Sequence, residues 1–433
     1  MEGFQCGAQL GKIEPMPKTL VTKIIEKHLI AGQAREGEFV QISLDRLLCH
    51  EVTTPPALEM LAKRGIEKIF DREKIIVTPD HFIPAKDEQS ALLAKQLAEW
   101  VRKNKIPHYY PVGRHGVCHA IFLEQGHVGP GMTVIAGDSH TCAHGVVGAF
   151  AFGVGTTDVA AALATGKVWC EVPRTIRIIL KGKLAPGVYA KDAMLFVIAQ
   201  LGAAGARERV LEFSGEVIEN LPLPERVPFA NMAIEAGATC GLIAPDAQTL
   251  AFCQQVGAEV PTEVLSSDAA APFEKTFEFD LSTLEPLVAT PSSPANGKPI
   301  SRLKKEKIKL DQAYLGSCTN GRIEDLRVAA QVLQGQRIAD SVRLIVVPAT
   351  TTVWQQAEEE GLFKIFLQAG ATVSTPTCGA CLGGHMGVLA PGERAIATTN
   401  RNFIGRMGSK QSEVYLASPR IVATSALKGY ISD

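Results

Sequence analysis

Short apolar runs that end in polar or glycine-bearing loops, each followed by a helical stretch, recur along this 433-residue chain and constrain its fold more than any other feature. Residues 74–78 read as a short strand that runs into Pro79-Asp80-His81-Phe82, with a helix predicted over 88–103. Residues 133–136 form a second such run, followed by Gly137-Asp138-Ser139-His140-Thr141 and a helix predicted over 149–166. A third, 312–315, leads into Gly316-Ser317-Cys318-Thr319-Asn320-Gly321, a helix over 324–333 and a strand over 342–347. Strand, loop and helix in this order mark an α/β fold. Open α/β sheets bind ligands at the carboxyl ends of their strands, so the loops are where a site belongs.

The length suits two or three domains. Apolar spacing near 3.6 predicts a helix over 18–33. Alternation predicts a strand over 40–48, and Glu51-Val52-Thr53-Thr54-Pro55 leads into a helix with proline at its start. The first unit spans 18–172. After Pro173 the pattern changes: residues 175–181 alternate cleanly and open a second unit, 173–289. Prolines, serines and a glycine over 290–306 read as an exposed linker before a third unit, 307–433. The formal net charge is −1, without the basic excess that nucleic acid or an anionic membrane attracts. Residues 1–18 lack a secretory pattern, and no run of eighteen apolar residues occurs; the best, 146–164, is broken by glycines, threonines and Asp158.

Ten cysteines in such a chain point to a reducing, cytoplasmic setting, in which clustered thiols bind metal or do chemistry. Cys6, Cys49, Cys118, Cys142, Cys170, Cys240 and Cys253 show no ligand spacing and read as buried small residues. Cys378 and Cys381 form a C-x2-C inside Pro-Thr-Cys-Gly-Ala-Cys-Leu-Gly-Gly, and Cys318 stands in a similar glycine-bearing loop. Three thiolates are one short of the usual closed site, and an iron–sulfur cluster held this way keeps one iron open for substrate. A redox pair, a zinc site completed by a histidine such as His385, and plain burial are the alternatives.

Asp80-His81 and Asp138-Ser139-His140 each set a carboxylate beside an imidazole in a loop after a strand, a pairing that tunes a general acid or base near neutral pH. His119, with Glu124 five residues on, is a weaker candidate. Thr399-Asn400-Arg401-Asn402-Phe403-Ile404-Gly405-Arg406 places two guanidinium groups where they can grip carboxylates bidentately.

Taken together, GSCTNGR (316–322), PTCGACLGG (376–384), GDSHTCAHG (137–145), AFGVGTTDVA (151–160), DH (80–81) and NRNFIGR (400–406) resemble the aconitase superfamily, and within it the two-subunit isopropylmalate dehydratases and their homoaconitase-like relatives. The resemblance runs from about residue 18 to 433 and leaves residues 1–17 as an N-terminal extension. It implies a three-domain α/β body around a [4Fe–4S] cluster on Cys318, Cys378 and Cys381. It makes Asp80 and His81 the pair that protonates the departing hydroxyl, adds His119, and gives Asp138, Ser139 and His140 to the iron-bound water and substrate. The second-domain catalytic glutamate matches Glu212, on the poorest of the motifs, and the carboxylate-binding group matches Asn400, Arg401 and Arg406.

Two departures refine the reading. Full-length aconitases continue into a fourth, swivelling domain that carries the proton-removing serine and further arginines, whereas this sequence stops at Asp433, soon after its third unit. The resemblance therefore implies a separate small subunit that supplies them. The glutamine that aconitases proper carry near Pro55 is missing, and Glu51 stands where the isopropylmalate dehydratase form usually has aspartate, which argues against citrate. The expected activity is a hydro-lyase interconverting 2- and 3-isopropylmalate in leucine biosynthesis, with homoaconitase or 2,3-dimethylmalate dehydratase as alternatives. An RNA-binding regulatory relative is the alternative from another class, and the neutral charge balance speaks against it.

Overall fold

Four sheets organise the chain, and the carboxyl ends of two of them supply most of the candidate residues. A computed structural model describes residues 16–433, so Cys6 and nearly all of the expected extension over 1–17 lie outside the described residues. The first of the two sheets is five-stranded and wholly parallel: His108–Tyr109, Ile75–Val77, Arg46–Cys49, Thr133–Ala136 and Phe150–Gly153, in that spatial order. Its central strands are apolar and buried on both faces, as parallel strands covered by helices must be. A parallel four-stranded sheet runs Cys240–Ile243, Arg209–Ser214, Arg174–Lys181, Lys275–Asp280. The seven-stranded sheet keeps Thr372–Val373, Arg343–Val346, Gln312–Leu315, Arg394–Ala397 and Glu413–Ala417 parallel and adds an antiparallel hairpin at its edge. A small antiparallel sheet of Leu29–Ala31, Phe39–Ser43 and Lys167–Glu171 completes the set.

Four expectations need correction. The helix expected over 18–33 spans only Leu20–His28, and Leu29–Ala31 is a strand paired with Phe39–Ser43. Residues 290–306 are no free linker: Leu287–Ala289 and Gly297–Pro299 pair as the edge hairpin of the seven-stranded sheet, and Ile300–Leu303 is a helical turn. Proline, glycine and serine suit a hairpin turn as well as a linker. The helix expected over 149–166 is a strand, Phe150–Gly153, followed by a shorter helix, Thr156–Thr165. Gly153 and Gly155 break the run, and Asp158 turns back to accept the Gly155 N–H at 3.2 Å. The strand expected over 40–48 splits between two sheets at Asp45, which accepts the Thr133 N–H at 2.9 Å.

One buried cluster holds the main body together, joining Leu48, Ile76 and Val134 of the first sheet, Phe213 of the second, and Tyr314 and Leu416 of the third. The loops at the strand ends are thus seated on a shared core. Among the described residues no helix is long and apolar enough to cross a membrane.

Candidate active site

Six strands deliver the site, and each does so just past its carboxyl end. Arg46–Cys49 leads to Glu51, Ile75–Val77 to Asp80 and His81, and Thr133–Ala136 to Asp138, Ser139 and His140. Facing them, Gln312–Leu315 leads to Cys318, Thr372–Val373 to Cys378 and Cys381, and Arg394–Ala397 to Asn400 and Arg401. The two sets are stitched together by backbone: the Asp80 carbonyl accepts the Cys378 N–H at 2.8 Å and the Thr377 hydroxyl at 3.0 Å.

His81 is clamped between two carboxylates. Its Nδ1–H donates to Asp80 at 2.5 Å and its Nε2–H to Asp138 at 3.2 Å, so both ring nitrogens are drawn into donating. Burial alone would lower the imidazole, but Asp80 and Asp138 outweigh it and hold His81 well above its ordinary value. Burial pushes the Asp138 carboxyl up, yet the donors His119 and His81 prevail and keep it well below the carboxylate range. His119 Nε2–H reaches Asp138 at 3.0 Å and the His140 backbone N–H reaches it at 2.7 Å, which makes Asp138 the hub for three of the predicted histidines. The free oxygen of Asp80 accepts the Cys118 N–H at 2.7 Å. Ser139 is half-buried beside this hub.

Glu51 fixes the Asp80-His81 loop from below. Its buried carboxylate accepts the backbone N–H groups of Asp80, His81 and Phe82 at 3.0, 2.7 and 2.7 Å. His50 stacks on His81 with centroids 4.4 Å apart, and burial together with the His81 charge lowers it to about 4, so His50 stays neutral.

Glu212 is not brought to this constellation. It sits within the strand Arg209–Ser214 and accepts the Ser267 hydroxyl at 2.8 Å, with Arg177 and Lys23 as the charges nearest it. The glutamate at the site is Glu235, buried in the short turn Met232–Ala236. It accepts His140 Nε2–H at 2.8 Å and Arg401 Nε–H at 2.8 and 3.0 Å on its two oxygens. Glu235 and Asn231, four residues apart in an otherwise small and apolar stretch, were the available signal, because buried polar groups must find partners. Asn231 accepts the Thr319 hydroxyl at 2.7 Å beside Cys318. Lys191, fully buried, is the other residue that sequence reasoning missed; its Nζ donates to the Thr398 and Thr399 carbonyls.

The three cysteines line one cradle. Asn400 Nδ2–H donates to Cys318 Sγ at 3.0 Å, and Arg406 stands near enough to Cys381 to favour its thiolate. The hydrogen bond from Cys378, with Arg406 and His140, brings the Cys381 thiol down to about 5. Burial and the Cys381 charge instead push Cys318 up to about 12. Three thiolates cannot coexist here without added positive charge, which is what a bound metal group provides. Among the described residues, the one group of three or more potential ligand atoms all within 4.8 Å of one another is His50, Glu51, Asp80 and His81, so the three thiols do not close on a single ion. His385 does not complete a zinc site with these thiols, since among the described residues it belongs to no group of three or more potential ligand atoms within 4.8 Å of one another. The cradle therefore fits a cluster held by Cys318, Cys378 and Cys381.

The aconitase family (aconitate hydratase) profile matches residues 22–429. The chain belongs to the aconitase family. Among its relatives, the 3-isopropylmalate dehydratase large subunit of Halothermothrix orenii is 49% identical over 417 residues, covering 96% of this chain and 99% of that one. The large subunit of the same name from Aquifex aeolicus is 49% identical, with 96% and 97% covered, and large subunit 1 from Pyrococcus furiosus is 48% identical, with 96% and 98% covered. Among solved structures, aconitase X of Thermococcus kodakaraensis superposes with a TM-score of 0.55 at 13% identity, over 94% of this chain and 95% of that one. This last likeness concerns the fold alone. Aconitase-family membership accords with the sequence resemblance and with the α/β architecture around the cradle.

Proposed function

We propose that this chain is the large, catalytic subunit of a hydro-lyase of the 3-isopropylmalate dehydratase type, which interconverts 2- and 3-isopropylmalate by losing and re-adding water in leucine biosynthesis. The observation that carries the reading is the clamp of His81 between Asp80 and Asp138, set against a cradle of three thiols. The relatives named as large subunits match over nearly the whole chain and support the same reaction class.

A [4Fe–4S] cluster on Cys318, Cys378 and Cys381 supplies, when bound, an open Lewis-acid position for a hydroxyl and a carboxylate oxygen. The chain's own residues do the rest. His81, kept protonated by its two carboxylates, gives a proton to the departing oxygen, and Asp80 holds the ring in line. Asp138 orients His119 and His140 around the same point, and Ser139 adds a hydroxyl to the substrate's surroundings. Arg401 and Arg406 fork a substrate carboxylate, where an ångström of misplacement is costly, and Asn400 steadies Cys318. Glu235, rather than Glu212, takes the place of the second-unit glutamate by orienting His140 and Arg401. Proton removal from carbon falls to a serine on a separate small subunit, which also brings further arginines. An exposed-iron cluster suits the reducing cytoplasm, where we place the enzyme.

The test is to reconstitute the chain anaerobically with iron and sulfide, add a purified isopropylmalate dehydratase small subunit, and follow 3-isopropylmalate spectroscopically as the unsaturated diacid forms. Turnover that requires both chains and the metal is expected. Turnover only on a homoaconitate-type or dimethylmalate substrate would move the reading to those enzymes, and none at full iron loading would remove it.

A further inference from the structure

Lys191 is the second residue of the helix Ala190–Leu201 and has no accessible surface. Its ammonium donates to the carbonyls of Thr398 and Thr399, each at 2.8 Å. Among the described residues no carboxylate lies within ion-pair distance of it. Burying an ammonium without a counter-ion is costly, and a methionine would fill the same volume without that cost, so packing alone does not account for a cation here.

What Lys191 holds explains its place. The strand Arg394–Ala397 ends one residue before Thr398, so the carbonyls of 398 and 399 leave the ladder and need other donors. The Thr398 carbonyl also accepts the Ser317 hydroxyl at 3.2 Å, and the Thr398 hydroxyl meets both the N–H and the carbonyl of Gly316 at 2.8 Å. One ammonium therefore pins the turn before Asn400 to the turn that carries Cys318. On the far side, Asn402 Nδ2–H donates to the Thr290 carbonyl at 2.8 Å. Between these two anchors stand Asn400, 3.0 Å from Cys318 Sγ, and Arg401, bonded to Glu235.

We infer that Lys191 is a positioning residue of the site: its buried ammonium fixes the Thr398 and Thr399 carbonyls and thereby sets Asn400 against Cys318 and Arg401 against the substrate carboxylate. This rests on the hydro-lyase reading, and it acts through Asn400 and Arg401 rather than by touching substrate.

The experiment compares wild type with Lys191→Met, each reconstituted anaerobically. Iron release to a chelator is timed on the large chain alone, and KM and kcat per bound iron are measured with the small subunit added. The variant is expected to release iron faster and to raise KM roughly tenfold or more, because the fork on the carboxylate is displaced. In an Arg401→Gln background the same change should add little further to KM, since residues acting through one another are not additive. Unchanged iron release with unchanged KM per iron overturns the inference, as does a KM effect that adds in full to that of Arg401→Gln. Should Lys191→Met fail to fold, Lys191→Leu, a smaller side chain that likewise offers the carbonyl pair no donor, carries the same comparison. A wild-type chain that binds no iron would fail the hydro-lyase reading itself, which separates the two failures.

Discussion

Arg401 lays its Nε–H across both carboxylate oxygens of Glu235, at 2.8 and 3.0 Å, and Glu235 holds His140 with the same carboxylate. The glutamate is buried to 3% exposure, and the donors on it keep its carboxyl below the usual range against the opposing effect of burial. Removing it would leave a guanidinium and an imidazole without their shared acceptor. Glu235→Ala should destabilise the chain by roughly 3 kcal/mol, the cost of breaking a buried pair. Urea unfolding of the metal-free chain measures this, and Glu212→Ala provides the contrast. If Glu212 were the functional glutamate, its substitution would abolish turnover and Glu235→Ala would not.

Glu51 accepts three consecutive backbone N–H groups, and a neutral amide cannot replace it, since it offers one oxygen and brings two donors of its own. Glu51→Gln should therefore loosen the Asp80-His81 loop, at a cost of about 1–3 kcal/mol in unfolding free energy for the donors left unsatisfied. Turnover should fall by more than this stability loss explains, because His81 leaves its position between the two aspartates. A variant with normal kcat would show that the loop holds its geometry without Glu51.

Part of this was legible in the chain itself. The runs at 133–136 and 312–315 read as strands because they are short, apolar and bounded by glycine-bearing loops, and the chemistry followed at their ends as α/β sheets dictate. Residues 149–166 misled because alanine-rich stretches look helical, while the pairing of Phe150–Gly153 with Thr133–Ala136 that makes a strand of the first part is a long-range contact. Glu212 and Glu235 differ in the same way. Glu212 sits in a strand of recognisable alternation, whereas Glu235 reaches His140 and Arg401 only through a turn that the tertiary fold carries to the site. No local spacing announces a residue placed by packed elements far apart in the chain, and Lys191 is the same case.

The His81 clamp makes stability pH-dependent with a definite sign. Asp80 and Asp138 overcome burial and raise His81 well above its ordinary value, so the folded chain keeps a proton that the unfolded chain releases above about pH 6.5. The stabilisation is complete below that pH and is lost as pH rises through the folded value. The difference in urea midpoint between the metal-free wild type and His81→Gln should be widest near about pH 6 and narrow toward about pH 9. A gap constant across that range would mean that His81 is neutral in the folded chain.

Cys318 is pushed up to about 12 by burial and by the negative Cys381, so without a cation it stays a thiol, and with one it must lose its proton. Metal loading is thus coupled to the charge of the whole cradle and not to Cys318 alone. Anaerobic reconstitution should give about four irons per wild-type chain, with one lost readily in air. Cys318→Ser should bind substantially less, because the oxygen is a poorer ligand for iron in a sulfur set and Asn400 then donates to an alcohol rather than a thiolate. Cys118→Ser makes the informative control: that thiol is equally buried but is not one of the three in the cradle, so the variant should load iron as wild type does. Iron analysis and acid-labile sulfide on the three proteins decide the matter. Equal iron in wild type and Cys318→Ser would place the metal elsewhere and leave the cradle without its assigned ligand.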